Sequence, residues 1–169
     1  MDYSSSGKTI QEAMLDAARR GSSGKFVPLQ IQWGELIVQT ADHIPCATHG
    51  RVRLELVRYP ESPLQGVDLK LNGSFELPDG SRVAVLRTWA DGKLEDAVGY
   101  PYRSNDGWLT AWNVCQTVLP SGQVRTDRFL GNAGFWVERI SERDRIYHCS
   151  HGTASPPDFD SLTFRISIV

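Results

Sequence analysis

Alternation of apolar and polar residues is the feature that most constrains the fold of this chain. In 68–77, apolar or small side chains occupy every second position from Leu69 to Leu77, and polar side chains lie between them. The same period of two recurs in 52–56 and 162–168. Successive side chains of a strand point to opposite faces, so this pattern is typical of strands with one buried and one solvated face. Further strands are predicted over the following ranges: 26–39, 82–90, 96–103, 107–119, 123–131, 134–141 and 144–150.

Short turns that contain glycine separate these segments. Pro78-Asp79-Gly80, Asn105-Asp106-Gly107 and Pro120-Ser121-Gly122 are examples, and such sequences supply the positive φ that tight hairpins need. Consecutive strands are therefore expected to pair antiparallel. The sequence predicts an all-β fold, an antiparallel up-and-down β-barrel of about eight or nine strands, because a closed barrel removes exposed sheet edges. A β-sandwich or jelly roll is the alternative.

One short helix is predicted before the strands. Thr9 and Glu12 have the spacing of a capping box, which satisfies free backbone N–H groups at a helix start. The helix is expected over 9–20, with Gly21 as a left-handed cap. Its apolar face comprises Ile10, Ala13, Met14 and Ala17. The chain thus divides into residues 1–25, a helix with a flexible linker, and residues 26–169, the barrel domain; the helix is either a packed terminal helix or a lid over the barrel mouth.

Charge and hydropathy exclude several classes of protein. Eighteen basic and 20 acidic residues give a net charge of −2, without a basic stripe, so a nucleic-acid partner is not expected. No apolar stretch approaches the ~20 residues of a membrane-spanning helix, and residues 1–6 lack the apolar core of a signal peptide. We therefore expect a cytoplasmic protein with no membrane partner, whose three cysteines are free thiols.

The stretch from Gly107 to Val124 carries no charge over 18 residues. On a strand, one of its faces would present Trp108, Thr110, Trp112, Val114, Gln116 and Val118. Neither face is strongly polar, which predicts a strand covered on both sides and favours a homodimer. Two tryptophans and the Gln116 amide on one face would form an apolar wall with one polar group, as small-molecule pockets do. Plain core packing is the alternative.

Other aromatic and acidic residues extend this candidate site. The remaining candidates for contact with an apolar substrate are Trp33, Trp89, Trp136, Phe75, Met14 and Glu35. Glu35, predicted in the first strand, and Glu138 are carboxylates in apolar surroundings. If either points inward, its pKa should be raised, and it could act as a general acid or base.

Histidine and cysteine residues cluster in 43–49 and 148–151. If these segments meet, they would offer six zinc ligands: His43, Cys46, His49, His148, Cys149 and His151. Neither segment has the spacing of an established zinc motif, so we expect no metal and keep zinc as a minor alternative. The sequence has no P-loop, no dinucleotide fingerprint and no nucleophile elbow, and no cofactor is expected.

The segment Arg128-Phe129-Leu130-Gly131-Asn132-Ala133-Gly134-Phe135 resembles a turn of small cofactor-free cyclases of the allene-oxide-cyclase-like barrel type. The likeness is to the spirotetronate and spirotetramate Diels–Alderases of polyketide biosynthesis. Asp106-Gly107-Trp108-Leu109-Thr110-Ala111-Trp112 is also similar, so the resemblance covers the span 106–135. A helix that can close over the barrel mouth is a feature of some of these enzymes. The chain continues to Val169, well past the turn, and no catalytic residue can be carried over.

The resemblance implies a cofactor-free cyclase that holds a bulky, apolar, polyketide-like intermediate for intramolecular cycloaddition. In such an enzyme Gln116, Tyr100 or Tyr102 would donate a hydrogen bond to the carbonyl conjugated to the dienophile, and Glu138 is the remaining catalytic candidate. Two other functions stay open. One is a lipocalin-like carrier of an apolar small molecule, and the other is a packed β-sandwich interaction domain.

Overall fold

The computed structural model describes residues 1–21, 28–93 and 97–169. Within them, one helix, α1 (Ile10–Arg20), precedes eleven strands that form one sheet. The strands are β1 (Gln30–Trp33), β2 (Leu36–Gln39), β3 (Asp42–Pro45), β4 (His49–Arg58), β5 (Gln65–Glu76), β6 (Arg82–Trp89), β7 (Ala97–Val118), β8 (Val124–Asp127), β9 (Gly134–Ser141), β10 (Asp144–Ser150) and β11 (Leu162–Ile168). The described residues include no helix of the length and hydropathy needed to cross a membrane.

The sheet is antiparallel and curls into a half-barrel. Nine strands follow one path in the order β1-β2-β9-β10-β11-β4-β7-β5-β6, while β3 and β8 pair with β7 off this path. The predicted all-β class, the antiparallel barrel-type sheet of about eight or nine strands and the short N-terminal helix are confirmed, and the barrel is a half-barrel. The strand order differs from a consecutive meander, because neighbours such as β2 and β9 or β11 and β4 are distant in sequence. The predicted strand 26–39 is two strands, β1 and β2, and its first two residues lie outside the described ranges.

Strand β7 joins two segments that the sequence analysis had separated at a turn. Asn105-Asp106-Gly107 is a bulge within this 22-residue strand. On β5, Gly73 pairs with Ser104 of β7 and Leu71 pairs with Leu109 of β7, so β7 has three extra residues here. Gly107 has φ +78°, and its N–H donates to Ser104 Oγ at 3.1 Å. The correction has a physical reason: a glycine that supplies positive φ serves a bulge as well as a hairpin turn.

The bulge exchanges the two faces of β7. Before it Tyr102 and Ser104 are buried, and after it the buried positions include Leu109 and Ala111. The core-facing positions therefore change from even to odd numbers. As a result, Trp108 and Trp112 point away from the core, whereas Tyr102 and Ser104 point into it.

The inner face of the sheet is filled by one apolar cluster. Predicted core positions on β5 and β11, including Leu69, Phe75, Leu162 and Phe164, are at most 1% exposed. Phe164 stacks on Tyr147 with the ring centroids 4.6 Å apart. Burial of such side chains stabilises the fold by roughly 1.5–3 kcal/mol each. The period-two pattern thus identified the core face of these strands correctly.

A buried polar network joins β3 to β10. Asp42 Oδ2 accepts from Arg145 Nη1 at 2.8 Å and from Tyr147 Oη at 2.7 Å, and Asp42 Oδ1 accepts from Gln39 Nε2 at 3.0 Å. Arg145 also donates to the carbonyl of Glu142. Burial and the neighbouring Asp42 carboxylate raise the pKa of Tyr147 well above its ordinary value. Since β2 and β9 share a single residue pair, this network fastens the two halves of the sheet where backbone pairing is sparse.

Helix α1 begins as the sequence predicted. Thr9 Oγ1 accepts from Glu12 N, and a Glu12 carboxylate oxygen accepts from Thr9 N, so the capping box is present. The predicted left-handed cap at Gly21 is wrong, because Gly21 is extended, with φ −159°, while its N–H donates to the Ala17 carbonyl. The expected linker residues 22–24 lie outside the described residues.

The start of α1 is bonded to the turn that precedes β9. Ile10 N donates to Asn132 Oδ1 at 3.1 Å, Gln11 N donates to the Gly131 carbonyl at 2.9 Å, and Gly131 N donates to Gln11 Oε1. Ile10 also lies so close to Gly134 that a Cβ there would be 3.2 Å from its side chain. These bonds satisfy helix N–H groups that would otherwise lack partners. They hold α1 against the sheet in this structure.

Candidate functional site

An open cleft of about 440 Å³ lies on the outward face of β3, β5 and β7. Its floor is set by cross-strand pairing, because Thr110 of β7 lies between His43 of β3 and Lys70 of β5. Trp108 and Trp112 flank Thr110 on the same face of β7. The lining residues are Ala41, His43, Lys70, Asn72, Asp106, Trp108, Thr110, Trp112, Arg128 and Phe129.

The loop between β8 and β9 forms one wall of the cleft. The Phe129 ring lies 6.2 Å from the Trp112 ring, and the Arg128 guanidinium carbon lies 5.1 Å from the same indole. Phe129 has φ +62°, an unfavourable backbone conformation that costs an aromatic residue on the order of 1–3 kcal/mol. Further along the loop, Asn132 bonds to α1 and to the Ala154 carbonyl. The wall is therefore held in its strained conformation by contacts at its far end.

Trp112 carries an unused hydrogen-bond donor. Its side chain is buried, with the residue 5% exposed, yet Nε1 has no hydrogen-bond partner among the described residues. An unsatisfied buried donor costs about 1–3 kcal/mol, which folded proteins usually avoid. Nε1 itself is shielded from solvent, so an acceptor bound in the cleft could satisfy the Trp112 N–H only if the side chains around it move.

The charged groups of the cleft are separated along its length. Lys70 and Arg128 lie near Trp112, and neither takes part in an ion pair found within the described part of the chain. Asp106 lies beside Trp108, where Oδ1 accepts from Trp108 N at 3.1 Å and from Ser104 Oγ at 3.2 Å. The cleft therefore has Arg128 at its Trp112 end, Lys70 in its middle beside Thr110, and Asp106 at its Trp108 end.

His43 occupies the side of the cleft formed by β3. Its Nδ1 lies 2.9 Å from Thr110 Oγ1, and its ring meets Trp108 edge-on with centroids 6.4 Å apart. This hydrogen bond through Nδ1 fixes the orientation of the imidazole ring. The arrangement supplies a polar group between two aromatic walls, which is how small-molecule sites orient a ligand.

Only part of the predicted binding set lies in this cleft. Trp108 and Trp112 line it together. Trp89 lies on the same outward side of the sheet, packed over Gly66, with the Arg87 guanidinium 5.7 Å from its ring. The others lie elsewhere: Met14 and Trp33 pack at α1, Phe75 is in the core, Glu35 is exposed in the turn between β1 and β2, and Trp136 stacks on His148 with centroids 4.0 Å apart.

The four predicted catalytic residues are not brought together. Tyr100 and Tyr102 pack with the core cluster. Gln116 lies on the same face of β7 as Trp112, which is opposite to the face of Tyr102 because the bulge between Tyr102 and Gln116 exchanges the two faces. Burial raises the pKa of Tyr102 to about 12. Glu138 is exposed on β9, with Oε2 3.2 Å from His148 Nε2.

The six residues of the zinc alternative are also dispersed. His43 lies in the cleft, and His49 lies by a separate cleft with Arg103. Cys149 is fully buried, and this burial raises the pKa of its thiol well above the ordinary value. Nowhere in residues 1–21, 28–93 and 97–169 do three or more His, Cys, Asp or Glu side chains gather as metal ligands.

Sequence reasoning missed several residues of the cleft as binding candidates, among them Lys70, Arg128 and Phe129. Lys70 lies between the buried residues Leu69 and Leu71, so the alternating pattern predicted only that its side chain is on the solvated face. Arg128 and Phe129 belong to the segment that carried the resemblance, but no role was assigned to them. An aromatic residue within a polar, glycine-containing loop was the available signal for Phe129.

No protein-family model, curated protein or solved structure matches the chain.

Proposed function

We propose that this protein binds a small organic molecule with a planar apolar ring system in the outward cleft. The observation that carries the proposal is the cleft of about 440 Å³ walled by Trp108, Trp112 and Phe129. Ligand sites are typically concave, ~300–1,000 Å³ in volume and lined by aromatic residues with a few polar groups. The cleft combines these aromatic walls with polar residues, namely His43, Lys70, Asn72, Asp106, Thr110 and Arg128.

The placement of the tryptophans supports binding over simple packing. Trp108 is half-buried on the outward face, while the apolar cluster of the inner face is complete without it. Aromatic surface left beside a depression is the type of surface that a planar ligand covers by stacking. Phe129 adds a second ring at a backbone conformation that packing alone does not favour.

A neutral aromatic probe tests the proposal. Naphthaleneacetamide should quench tryptophan fluorescence saturably, and Trp108→Ala should weaken its binding about ten-fold or more, because an aromatic wall contributes roughly 1–3 kcal/mol. Trp136→Ala is the matched control, since Trp136 stacks on His148 away from the cleft. Equal losses in the two variants, or no saturable binding to the unmodified protein, would remove the cleft as a ligand site.

Cofactor-free cyclisation of an apolar, polyketide-like intermediate is a second proposal for the same chain. It is favoured by hydrogen-bond donors beside aromatic walls, because a donor such as Trp112 N–H could polarise a carbonyl conjugated to a dienophile. Turnover separates the two proposals. A linear polyene with a conjugated carbonyl should be returned as an isomer of equal mass by a cyclase, and unchanged by a carrier.

The homodimer stays a prediction, which sedimentation analysis would test.

A further inference from the structure

We infer that the ligand of the outward cleft is an aromatic anion, such as an aryl carboxylate, whose negative group lies at the Trp112 end. This inference rests on the proposed function and adds the charge and orientation of the ligand. It is carried by two cationic side chains that line the cleft without hydrogen-bond or ion-pair partners among the described residues, Lys70 and Arg128, and by the nearby Trp112 Nε1, which also lacks a partner.

The strand register brings these donors close together. Lys70 pairs with Thr110, and Asp68 pairs with Trp112, so Lys70 is a diagonal neighbour of Trp112, as it is of Trp108, on the same face. Diagonal neighbours are within reach of long side chains. Arg128 lies over the Trp112 indole from the opposite wall. One carboxylate placed between these walls could therefore accept from both cations and from the indole N–H.

The nearby acidic groups already have partners. Asp68, the cross-strand neighbour of Trp112, is 1% exposed, and both of its oxygens accept from Arg87 at 2.8 Å. Asp106 lies at the far end of the cleft and accepts from Trp108 N and Ser104 Oγ. Asp68 is thus neutralised by Arg87, while the Asp106 charge lies at the Trp108 end, so the positive potential of Arg128 at the Trp112 end is available to a ligand.

The stacking of Arg128 determines the shape of anion that fits. Its guanidinium carbon lies 5.1 Å from the Trp112 ring and 5.3 Å from the Phe129 ring. A guanidinium held on aromatic surfaces can still present its N–H groups in a fork that matches a planar carboxylate. A ring attached to that carboxylate would extend toward Trp108, so the polar and apolar parts of an aryl carboxylate match the two ends of the cleft.

A pair of probes that differ only in charge tests the inference. Naphthaleneacetate and naphthaleneacetamide share one ring system, and their affinities can be compared by calorimetry at low and high salt. The acetate should bind about ten-fold more tightly at low salt, because hydrogen bonds to charged groups are roughly twice as strong as neutral ones. This ratio should shrink at high salt, since salt screens exposed charges.

Variants assign the ratio to the named donors. Lys70→Gln and Arg128→Gln should each lower the acetate-to-amide affinity ratio several-fold, and the double variant should bring the ratio close to one. The ratio is the informative quantity, because loss of the Arg128 stack weakens both probes. Arg58→Gln is the control, since Arg58 is an exposed arginine outside the cleft, and it should leave the ratio unchanged.

The outcomes separate this inference from the proposed function. Saturable binding of both probes with equal affinity would overturn the inference and leave the binding function standing. An acetate preference that survives the double variant, or that falls equally in Arg58→Gln, would also overturn it. Absence of binding by either probe would remove the proposed function and the inference together.

Discussion

Asp42 and His43 are adjacent on β3 and face opposite sides of the sheet. On the inner side, Asp42 accepts from Gln39, Arg145 and Tyr147, and this network lies out of contact with solvent. On the outer side, His43 borders a cleft where Trp112 Nε1 has no partner among the described residues. The comparison teaches that the polar groups around Asp42 are satisfied by one another and closed to a ligand, whereas His43 borders a cleft that a ligand can enter.

The largest effect is expected from removing the centre of the inner network. Asp42→Ala leaves the Arg145 guanidinium buried without its carboxylate, so the free energy of unfolding should fall by roughly 3–5 kcal/mol. Urea denaturation followed by circular dichroism measures this change. Asp106→Ala is the outer counterpart and should cost less than about 1 kcal/mol, because Asp106 is exposed. Comparable losses in the two variants would contradict the distinction between the sides.

A smaller effect is expected at the loop that connects the outer wall to α1. Asn132→Ala removes the acceptor of Ile10 N and the donor to the Ala154 carbonyl, and should destabilise the protein by about 1–3 kcal/mol. Hydrogen exchange at the first turn of α1 should accelerate, and naphthaleneacetamide binding should weaken because Phe129 loses its support. Ser121→Ala, in the turn between β7 and β8, is the control. Unchanged exchange in α1 would show that Asn132 does not anchor the helix.

A third variant tests the N–H group of Trp112 Nε1, which has no partner among the described residues. Trp112→Phe keeps an aromatic ring and removes Nε1–H, so stability should stay within about 1 kcal/mol of the original, as the lost packing is offset by removal of an unsatisfied donor. Naphthaleneacetate should nevertheless bind several-fold more weakly. A large loss of stability would show that Trp112 has a structural role, and would contradict the contrast between the inner network and the outer cleft.

The smallest effect is expected at an ion pair near the sheet surface. Asp144 accepts from Arg165 Nε at 2.8 Å and from Arg165 Nη2 at 2.6 Å, and this guanidinium holds the pKa of the Asp144 carboxyl below its ordinary 3.8. A lowered folded-state pKa contributes stability above the unfolded value, and this contribution is lost as the pH falls through the folded value.

The measurement is a comparison of the unmodified protein with Asp144→Asn across pH. Their stability difference should be constant near neutral pH and should shrink as the pH falls below the ordinary 3.8 of the carboxyl. The difference should be small throughout, because both side chains are partly exposed and water screens the pair. A difference that grows on acidification would contradict the lowered pKa.

The sequence predicts what local periodicity and capping determine. The alternation in 162–168 placed Leu162 and Phe164 in the core, and the pair Thr9 and Glu12 located the helix start. It could not predict that β2 lies beside β9, because such pairing depends on contacts between distant segments. Nor could it distinguish a bulge from a hairpin at 105–107, since both need positive φ at Gly107 and only the partners on β3 and β5 decide between them.

The same limit explains the partial success with the site. Trp108 and Trp112 were placed on one face correctly because no irregularity lies between them. Tyr102 and Gln116 were grouped as catalytic candidates although the bulge separates their faces. Lys70 entered the cleft only through pairing with Thr110, which no local pattern in β5 encodes.

The bulge at 105–107 changes which positions of β7, the longest strand, face the core: even-numbered residues before it and odd-numbered residues after it. It allows one continuous backbone to serve two layers, with a tyrosine directed into the protein and tryptophans directed out of it. Strict alternation of the same residues without the bulge would put all even-numbered positions from Tyr102 to Trp112 on one face. The indoles would then be directed into a filled interior and Leu109 and Ala111 would be directed into water, so the cleft depends on the odd number of extra residues that the bulge adds to β7.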